Sequence, residues 1–103
     1  MNIKKAADNL GLDESEYIEI VQLFVKVSNE DLQTLKSAIE AKNASLVFET
    51  SHSIKGAAIN LGFQEIAEIA KKMESNARRN CLDGSNRNYN LLKCQIKSLA
   101  SRI

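Results

Sequence analysis

The chain contains no proline, no tryptophan and only four glycines among its 103 residues. Proline breaks a helix because it removes a backbone hydrogen bond, and glycine weakens one by about 1 kcal/mol. Residues that routinely interrupt helices are therefore scarce. No segment shows the alternation of apolar and polar residues that is typical of a strand, so the sequence predicts helices throughout.

A charge excess of either sign is also missing. Fourteen basic and thirteen acidic residues leave a formal charge of +1, whereas a nucleic-acid-binding domain usually carries a clear basic stripe. No apolar run approaches the roughly 20 residues that span a bilayer, and the first residues lack the apolar core of a signal peptide. We therefore expect no nucleic-acid partner, no membrane association and a cytoplasmic location.

Cysteine and histidine are too few for a metal site. Cys81 and Cys94 are the two cysteines, and His52 is the single histidine. Three such widely spaced residues do not form a zinc site. In a cytoplasmic protein the two thiols are expected to stay reduced.

Apolar residues recur at helical spacing in five segments. The first is short and amphipathic, and the second begins at a capping box formed by Asp13 and Glu16. Residues 28–31 could cap a new start within the second segment, but one long helix is favoured. The segments cover about 2–10, 13–42, 44–61, 63–80 and 89–103.

Four principal helices joined by short connections pack antiparallel to their neighbours. The predicted fold is therefore all-α: an antiparallel up-down-up-down four-helix bundle with a short additional N-terminal helix. A chain of this length suffices for one hydrophobic core, so residues 1–103 are expected to form a single domain.

The helix over residues 44–61 is expected to bury one face. Its predicted core stripe leaves His52 on the opposite side, at about 100° per residue, so the imidazole should be exposed. Phe48 and Ile59 share this outward face, where a solvent-facing helix has no need of large apolar residues. Such a patch indicates a docking surface. The stripe comprises Leu46, Thr50, Ile54, Ala57 and Leu61, with Val47 and Ala58 on its flank.

His52, Lys55 and Gly56 lie on one face of this helix, because their spacing is i, i+3 and i+4. Neutral imidazole is a nucleophile near physiological pH, and the nearby lysine could offset the charge of a phosphoryl group. The mid-helix glycine removes a side chain that would block an approaching partner. No nucleotide-binding loop, kinase-like glycine loop or carboxylate cluster for magnesium accompanies them.

The pattern His-x-x-Lys-Gly-x-x-x-x-Leu-Gly resembles the histidine-containing phosphotransfer (HPt) family. It is formed here by His52, Lys55, Gly56, Leu61 and Gly62. Helix order and length resemble the family along nearly the whole chain, although Ser51 stands where the family often has alanine. The resemblance implies a helical bundle in which His52 accepts the phosphoryl group, Lys55 stabilises its charge and Gly56 gives the partner access.

The resemblance also implies the partners and the function. Response-regulator receiver domains, of a hybrid histidine kinase and of a downstream regulator, would bring the phospho-accepting aspartate and its Mg²⁺, so this chain itself needs no cofactor. We expect a monomeric phosphorelay intermediate of a two-component signal transduction system, a phosphoryl carrier rather than an autonomous catalyst. Receiver aspartates would donate the phosphoryl group to His52 and receive it from there.

Two alternatives stay open. The chain could be the phosphotransfer domain of a larger histidine kinase, or a structural or adaptor bundle without phosphotransfer. Met1 and the helix closing at Ile103 favour a self-contained protein. The intact set of His52, Lys55 and Gly56 disfavours the adaptor.

The helix after Gly62 supplies the auxiliary candidates. Because the chain reverses at this glycine, residues near position 72 should lie level with the histidine. Either flank of that helix could help to hold the phosphoryl group, and the auxiliary candidates are Lys71 and Arg78. One flank carries Lys71, Glu74 and Arg78, and the other carries Lys72, Asn76 and Arg79.

Overall fold

The computed structural model describes residues 2–103 and shows five helices and no strand within that range. Met1, at which the predicted domain begins, lies outside the described residues. The all-helical prediction is confirmed. The helices are α1 (Ile3–Asn9), α2 (Glu14–Glu40), α3 (Ala44–Leu61), α4 (Gln64–Arg78) and α5 (Ser85–Ala100).

A side-chain cap starts α2 where the sequence predicts it. The Asp13 carboxylate accepts the Glu16 N–H at 2.8 Å, and the Glu16 side chain accepts the Asp13 N–H at 3.2 Å. This capping box satisfies two otherwise unpaired donors at the start of α2. The helix then runs without a break through residues 28–31, so the prediction of one long helix is confirmed. Its 27 residues, at about 1.5 Å each, match the 41 Å length of the molecule.

Each of the four long helices packs against two others. Helix α3 contacts α2 and α4, and helix α5 contacts the same two helices, whereas α1 contacts α2 alone. The apolar core lies between the long helices, with its largest fully buried apolar side chains at Tyr17, Val21, Leu35, Val47, Ile54, Met73, Leu92 and Ile96. No helix within residues 2–103 combines the length and the apolar character needed to cross a membrane.

The connection between α3 and α4 is two residues long. Gly62 has φ +78°, a left-handed conformation that glycine adopts without strain. The Phe63 N–H donates to the Ala58 carbonyl at 2.8 Å, and the Gly62 N–H donates to the Ile59 carbonyl at 3.1 Å. These two bonds form a Schellman motif, which ends α3 and reverses the chain. The Phe63 ring then packs on Phe24 of α2, with ring centroids 5.2 Å apart.

The buried face of α3 is rotated from the predicted stripe. Ala57, which we expected in the core, is exposed, and Val47 and Ala58 are more deeply buried than the stripe itself. Ser51 is fully buried although it is polar. Its hydroxyl donates to the Val47 carbonyl at 2.6 Å and lies 3.2 Å from the Phe48 carbonyl, so its burial leaves no unpaired group. The prediction that Ala57 lies in the core was therefore wrong, because the buried face of α3 is rotated towards Ser51.

Candidate functional site

His52 lies in the middle of α3, and its side chain is 61% exposed, as predicted. Its Nδ1 atom lies 2.9 Å from Oε1 of Glu74, which projects from α4. Lys55, one turn further along α3, places Nζ 2.7 Å from Oε2 of the same carboxylate. A single acidic side chain therefore joins the histidine to the lysine.

Glu74 is buried, with 8% of its surface exposed. Burial by itself would raise the pKa of this carboxyl group. The hydrogen bonds and charges of Lys55 and His52 act in the opposite direction and hold the pKa of Glu74 below its ordinary value. The group is therefore an ionised carboxylate at neutral pH.

The ionised Glu74 determines which nitrogen of His52 carries the proton. A carboxylate only accepts hydrogen bonds, so Nδ1–H must be the donor to Oε1. In a neutral imidazole the second nitrogen, Nε2, then keeps its lone pair. In the neutral form of this exposed ring, the nitrogen with the lone pair that can attack an electrophile is therefore Nε2.

Phe48 and Arg78 form a second pair across α3 and α4, one turn from the first. The Phe48 ring lies nearly parallel to the His52 ring, with centroids 6.1 Å apart and an interplanar angle of 13°. The guanidinium carbon of Arg78 lies 5.3 Å from the centroid of the same phenyl ring. Phe48 is half-buried and packs against the core, so it is less exposed than the predicted outward face requires.

The other predicted residues lie around this group. Gly56 follows Lys55, and a Cβ atom built there would meet nothing within 4 Å, so the glycine does not serve helix packing. Ile59 is 59% exposed. Lys71 is exposed on α4 and forms no side-chain hydrogen bond or ion pair with residues 2–103. Of the two auxiliary candidates, Arg78 contacts Phe48, the neighbour of the histidine ring, and the role of Lys71 stays a prediction.

A groove runs between α2 and α3 on the other side of the histidine helix. Its volume is about 330 Å³, and Ser53, the residue after His52, is part of its wall. Leu23, 60% exposed, and Val27, 44% exposed, stand on its α2 side. The remaining lining residues are Ile20, Phe24, Ser28, Asp31, Ile54, Ala57, Asn60 and Leu61.

The sequence placed Glu74 on the correct flank but gave it no role. Reversal at Gly62 correctly indicated that residues near 72 lie level with His52. The search for phosphate-binding groups then favoured the cations Lys71 and Arg78. The sequence did contain one indication of this contact. Glu74 is an acidic residue at the same height in the bundle as His52 and Lys55 of α3, and a partly buried ion pair requires such opposite charges. Within residues 2–103, no cluster of three histidine, cysteine or acidic side chains could hold a metal ion.

Two comparisons with known proteins agree with this geometry. The family model of the Hpt domain matches residues 19–102. The crystal structure of histidine-containing phosphotransfer protein B (HptB) from Pseudomonas aeruginosa PAO1 superposes with a TM-score of 0.83 and 29% sequence identity, covering 91% of this chain and 82% of that one. No curated protein sequence matches the chain. Since the family model spans most of the chain and includes the entire histidine helix, the protein belongs to the Hpt domain family.

Proposed function

We propose that Nε2 of His52 is the atom on which this protein carries a phosphoryl group. Membership of the Hpt family and the likeness to a histidine-containing phosphotransfer protein make it a phosphotransfer intermediate of a two-component phosphorelay. The observation that carries the assignment to Nε2 is the Nδ1–Glu74 hydrogen bond, which leaves Nε2 unprotonated and exposed.

The reaction begins with an aspartyl phosphate on a receiver domain. The Nε2 lone pair attacks phosphorus, the new N–P bond forms, and the bond between phosphorus and the aspartate oxygen breaks. The aspartate leaves as a carboxylate. Because Nδ1 keeps its proton, the phosphorylated ring carries a positive charge, and the Glu74 carboxylate stabilises that charge. Transfer to a second receiver aspartate reverses the same steps.

Lys55 and Gly56 assist the transfer, one by its charge and the other by leaving space. Lys55 fixes the second oxygen of Glu74 and adds positive charge close to the phosphoryl oxygens, since phosphoryl transfer depends mainly on position and charge. Gly56 leaves open space next to His52, through which the receiver aspartate reaches the imidazole. Mg²⁺ enters with the receiver domain, so we assign no cofactor to this chain.

The receiver domain docks on the apolar surface around His52. The groove between α2 and α3 is lined by Ser53, the residue after His52, and exposed Leu23 and Val27 offer a partner apolar contacts. Ile59 is also exposed on α3, and its docking role stays a prediction. A partner bound there brings its aspartate over the exposed imidazole, which is the requirement for transfer. The docking role of Phe48 stays a prediction.

Four further expectations complete the proposal. The long helices run alternately up and down, which is supported by the short connections and by the two neighbours of each long helix. The chain forms one domain, acts as a monomer and works in the cytoplasm, where receiver domains of a hybrid kinase and a regulator would meet it.

Substitution of the histidine tests the proposed function. His52→Gln should abolish labelling by a phosphorylated receiver domain and by phosphoramidate, a small phosphoryl donor. The exposed side chain makes few core contacts, so the circular dichroism spectrum and melting temperature should barely change. Phosphoryl transfer to the folded His52→Gln variant would contradict the assignment, and an acid-stable label would point to a serine.

A further inference from the structure

Phe48 touches both the histidine and the free cation of the site. Its ring lies nearly parallel to the His52 imidazole, and the Arg78 guanidinium lies over the same ring. A guanidinium over an aromatic face is attracted by the negative charge density of the ring. The phenyl ring that stacks on the imidazole therefore also holds a positive charge, one helical turn from the Glu74 hydrogen bond.

Arg78 differs from Lys55 because its positive charge is not paired with a carboxylate of residues 2–103. Lys55 is already paired with the Glu74 carboxylate, so only part of its positive charge is available to the phosphoryl oxygens. Arg78 forms no ion pair with a carboxylate within residues 2–103, and its cation–π contact leaves the guanidinium N–H groups available. Guanidinium stays charged at all relevant pH values and presents several donors that fit phosphoryl oxygens.

We infer that Phe48 is a positioning residue which holds the Arg78 guanidinium beside His52, so that the arginine binds the phosphoryl oxygens when Nε2 becomes phosphorylated. This inference rests on the proposed function and deepens it. It assigns the half-buried phenylalanine to phosphate binding through Arg78 rather than to contact with the receiver. Arg78 then adds to the stabilisation of the phosphorylated form that Lys55 provides.

Two substitutions at Phe48 distinguish the effect of its aromatic face from the effect of its size. Phe48→Leu keeps an apolar side chain but removes the aromatic face, whereas Phe48→Tyr keeps the face. Phosphorylation of purified protein by phosphoramidate is followed by ³¹P NMR, with no receiver domain present. Phe48→Leu and Arg78→Gln should each slow formation of phosphohistidine by about three- to fivefold, as expected for loss of a partly exposed cation–π contact. Phe48→Tyr should react at the wild-type rate.

The double variant tests whether the two residues act as a unit. If Phe48 acts through Arg78, Phe48→Leu combined with Arg78→Gln should be no slower than Arg78→Gln alone. Arg79→Gln is the matched control, because this neighbouring guanidinium is bonded to Asn76 at 2.6 Å and should not affect the rate. Melting temperatures are measured for every variant, so that loss of fold is distinguished from loss of rate.

The outcomes separate this inference from the proposed function. Independent, multiplicative effects of the two substitutions, or a wild-type rate for Phe48→Leu, would overturn the inference alone. If Phe48→Leu weakened receiver binding while phosphoramidate labelling stayed unchanged, Phe48 would be a docking residue instead. Failure of wild-type protein to form phosphohistidine at all would overturn the proposed function and this inference together.

Discussion

The two flanks of helix α3 have opposite chemistry. On the α4 side, His52 and Lys55 meet the buried carboxylate of Glu74. On the α2 side, a groove with mainly apolar walls opens between Leu23 and Ala57. The charged flank includes the exposed imidazole, and the groove begins at the next residue, Ser53. The charged flank determines the protonation and charge of the histidine, and the apolar flank offers surface to a partner.

This division means that reactivity and recognition can be changed separately. A hydrogen bond on the α4 side acts on the imidazole whichever partner is present. An apolar contact on the α2 side adds binding energy without altering the electronic state of the ring. Substitutions on the two flanks should therefore affect different measurements, and the following predictions test that separation.

Among the substitutions that compare the two flanks, the largest effect is expected for Glu74→Gln. The Lys55 ammonium will attract the amide oxygen, which turns the amide NH₂ towards His52 Nδ1. Nδ1 must then accept a hydrogen bond, so the proton moves to Nε2 and removes the nucleophilic lone pair. By analogy with other histidines held in the wrong tautomer, phosphoramidate labelling should slow by about 100-fold or more.

Two measurements check this explanation of the Glu74→Gln effect. ¹⁵N NMR of the imidazole should report a change from the Nδ1–H to the Nε2–H tautomer. Glu68→Gln, at an exposed position of the same helix, is the matched control and should react normally. Fast labelling of Glu74→Gln would show that the carboxylate does not determine the reactive nitrogen.

A smaller effect is expected for Leu23→Ala on the apolar flank. Its side chain is largely exposed, so the free energy of unfolding should change by no more than about 0.5 kcal/mol. Binding to a cognate receiver domain should weaken by about 1 kcal/mol or more, roughly fivefold, if the leucine is an interface contact. Calorimetry measures the affinity, and phosphoramidate labelling should be unchanged.

Leu91→Ala provides the control for Leu23→Ala. Leu91 is also an exposed leucine, but it lies on α5, which does not contact α3. Its truncation should leave receiver affinity unaltered. If both variants bind the receiver equally well, docking does not use the groove.

The smallest effect is a difference in the pH dependence of stability. The folded pKa of Glu74 is lowered, so its contribution is complete above the ordinary value of 4.5 and is lost as pH falls through the folded pKa. Asp31, in the wall of the groove, shows the opposite sign. Burial, followed by the charge of Glu30, raises its pKa, so the unfolded state binds fewer protons near the ordinary value of 3.8 and the contribution of Asp31 is lost as pH rises.

Urea unfolding at several pH values between about 3 and 6 measures how the free energy of unfolding depends on pH for both carboxyl groups. Glu74→Gln should reduce the gain in stability between acid and neutral pH relative to wild type. Asp31→Asn should increase that gain. Identical pH profiles for the two variants would show that the pKa values of Glu74 and Asp31 are not shifted in opposite directions.

Sequence periodicity was sufficient for the helices but not for the orientation of α3. Asp13 and Asn43 cap the starts of α2 and α3 by accepting N–H groups three residues further along, so each signal acts within one turn of the chain. The orientation of α3 depends on how closely it packs against its neighbours. The hydroxyl of buried Ser51 donates a hydrogen bond to the α3 backbone, so this small polar residue fits in the core. The helical periodicity had placed Ala57 there instead.

The reactive histidine was predictable, whereas its hydrogen-bond partner was not. His52, Lys55 and Gly56 form a local pattern on one helix. Glu74 acts on them across 22 residues of sequence, and its contact depends on the relative position of two packed helices. A sequence pattern of charges shows which groups can meet, but only tertiary structure shows which one is desolvated enough to determine the tautomer.

The two-residue connection between α3 and α4 has a consequence for comparing sequences. Gly62 and Phe63 fix how far α4 starts from the end of α3, and hence the 22-residue interval between His52 and Glu74. One inserted residue in the following helix would turn its later side chains by about 100° and direct the carboxylate away from the imidazole. Among related chains, an acidic residue at this interval, after an equally short connection, is therefore a criterion for the same control of the reactive nitrogen.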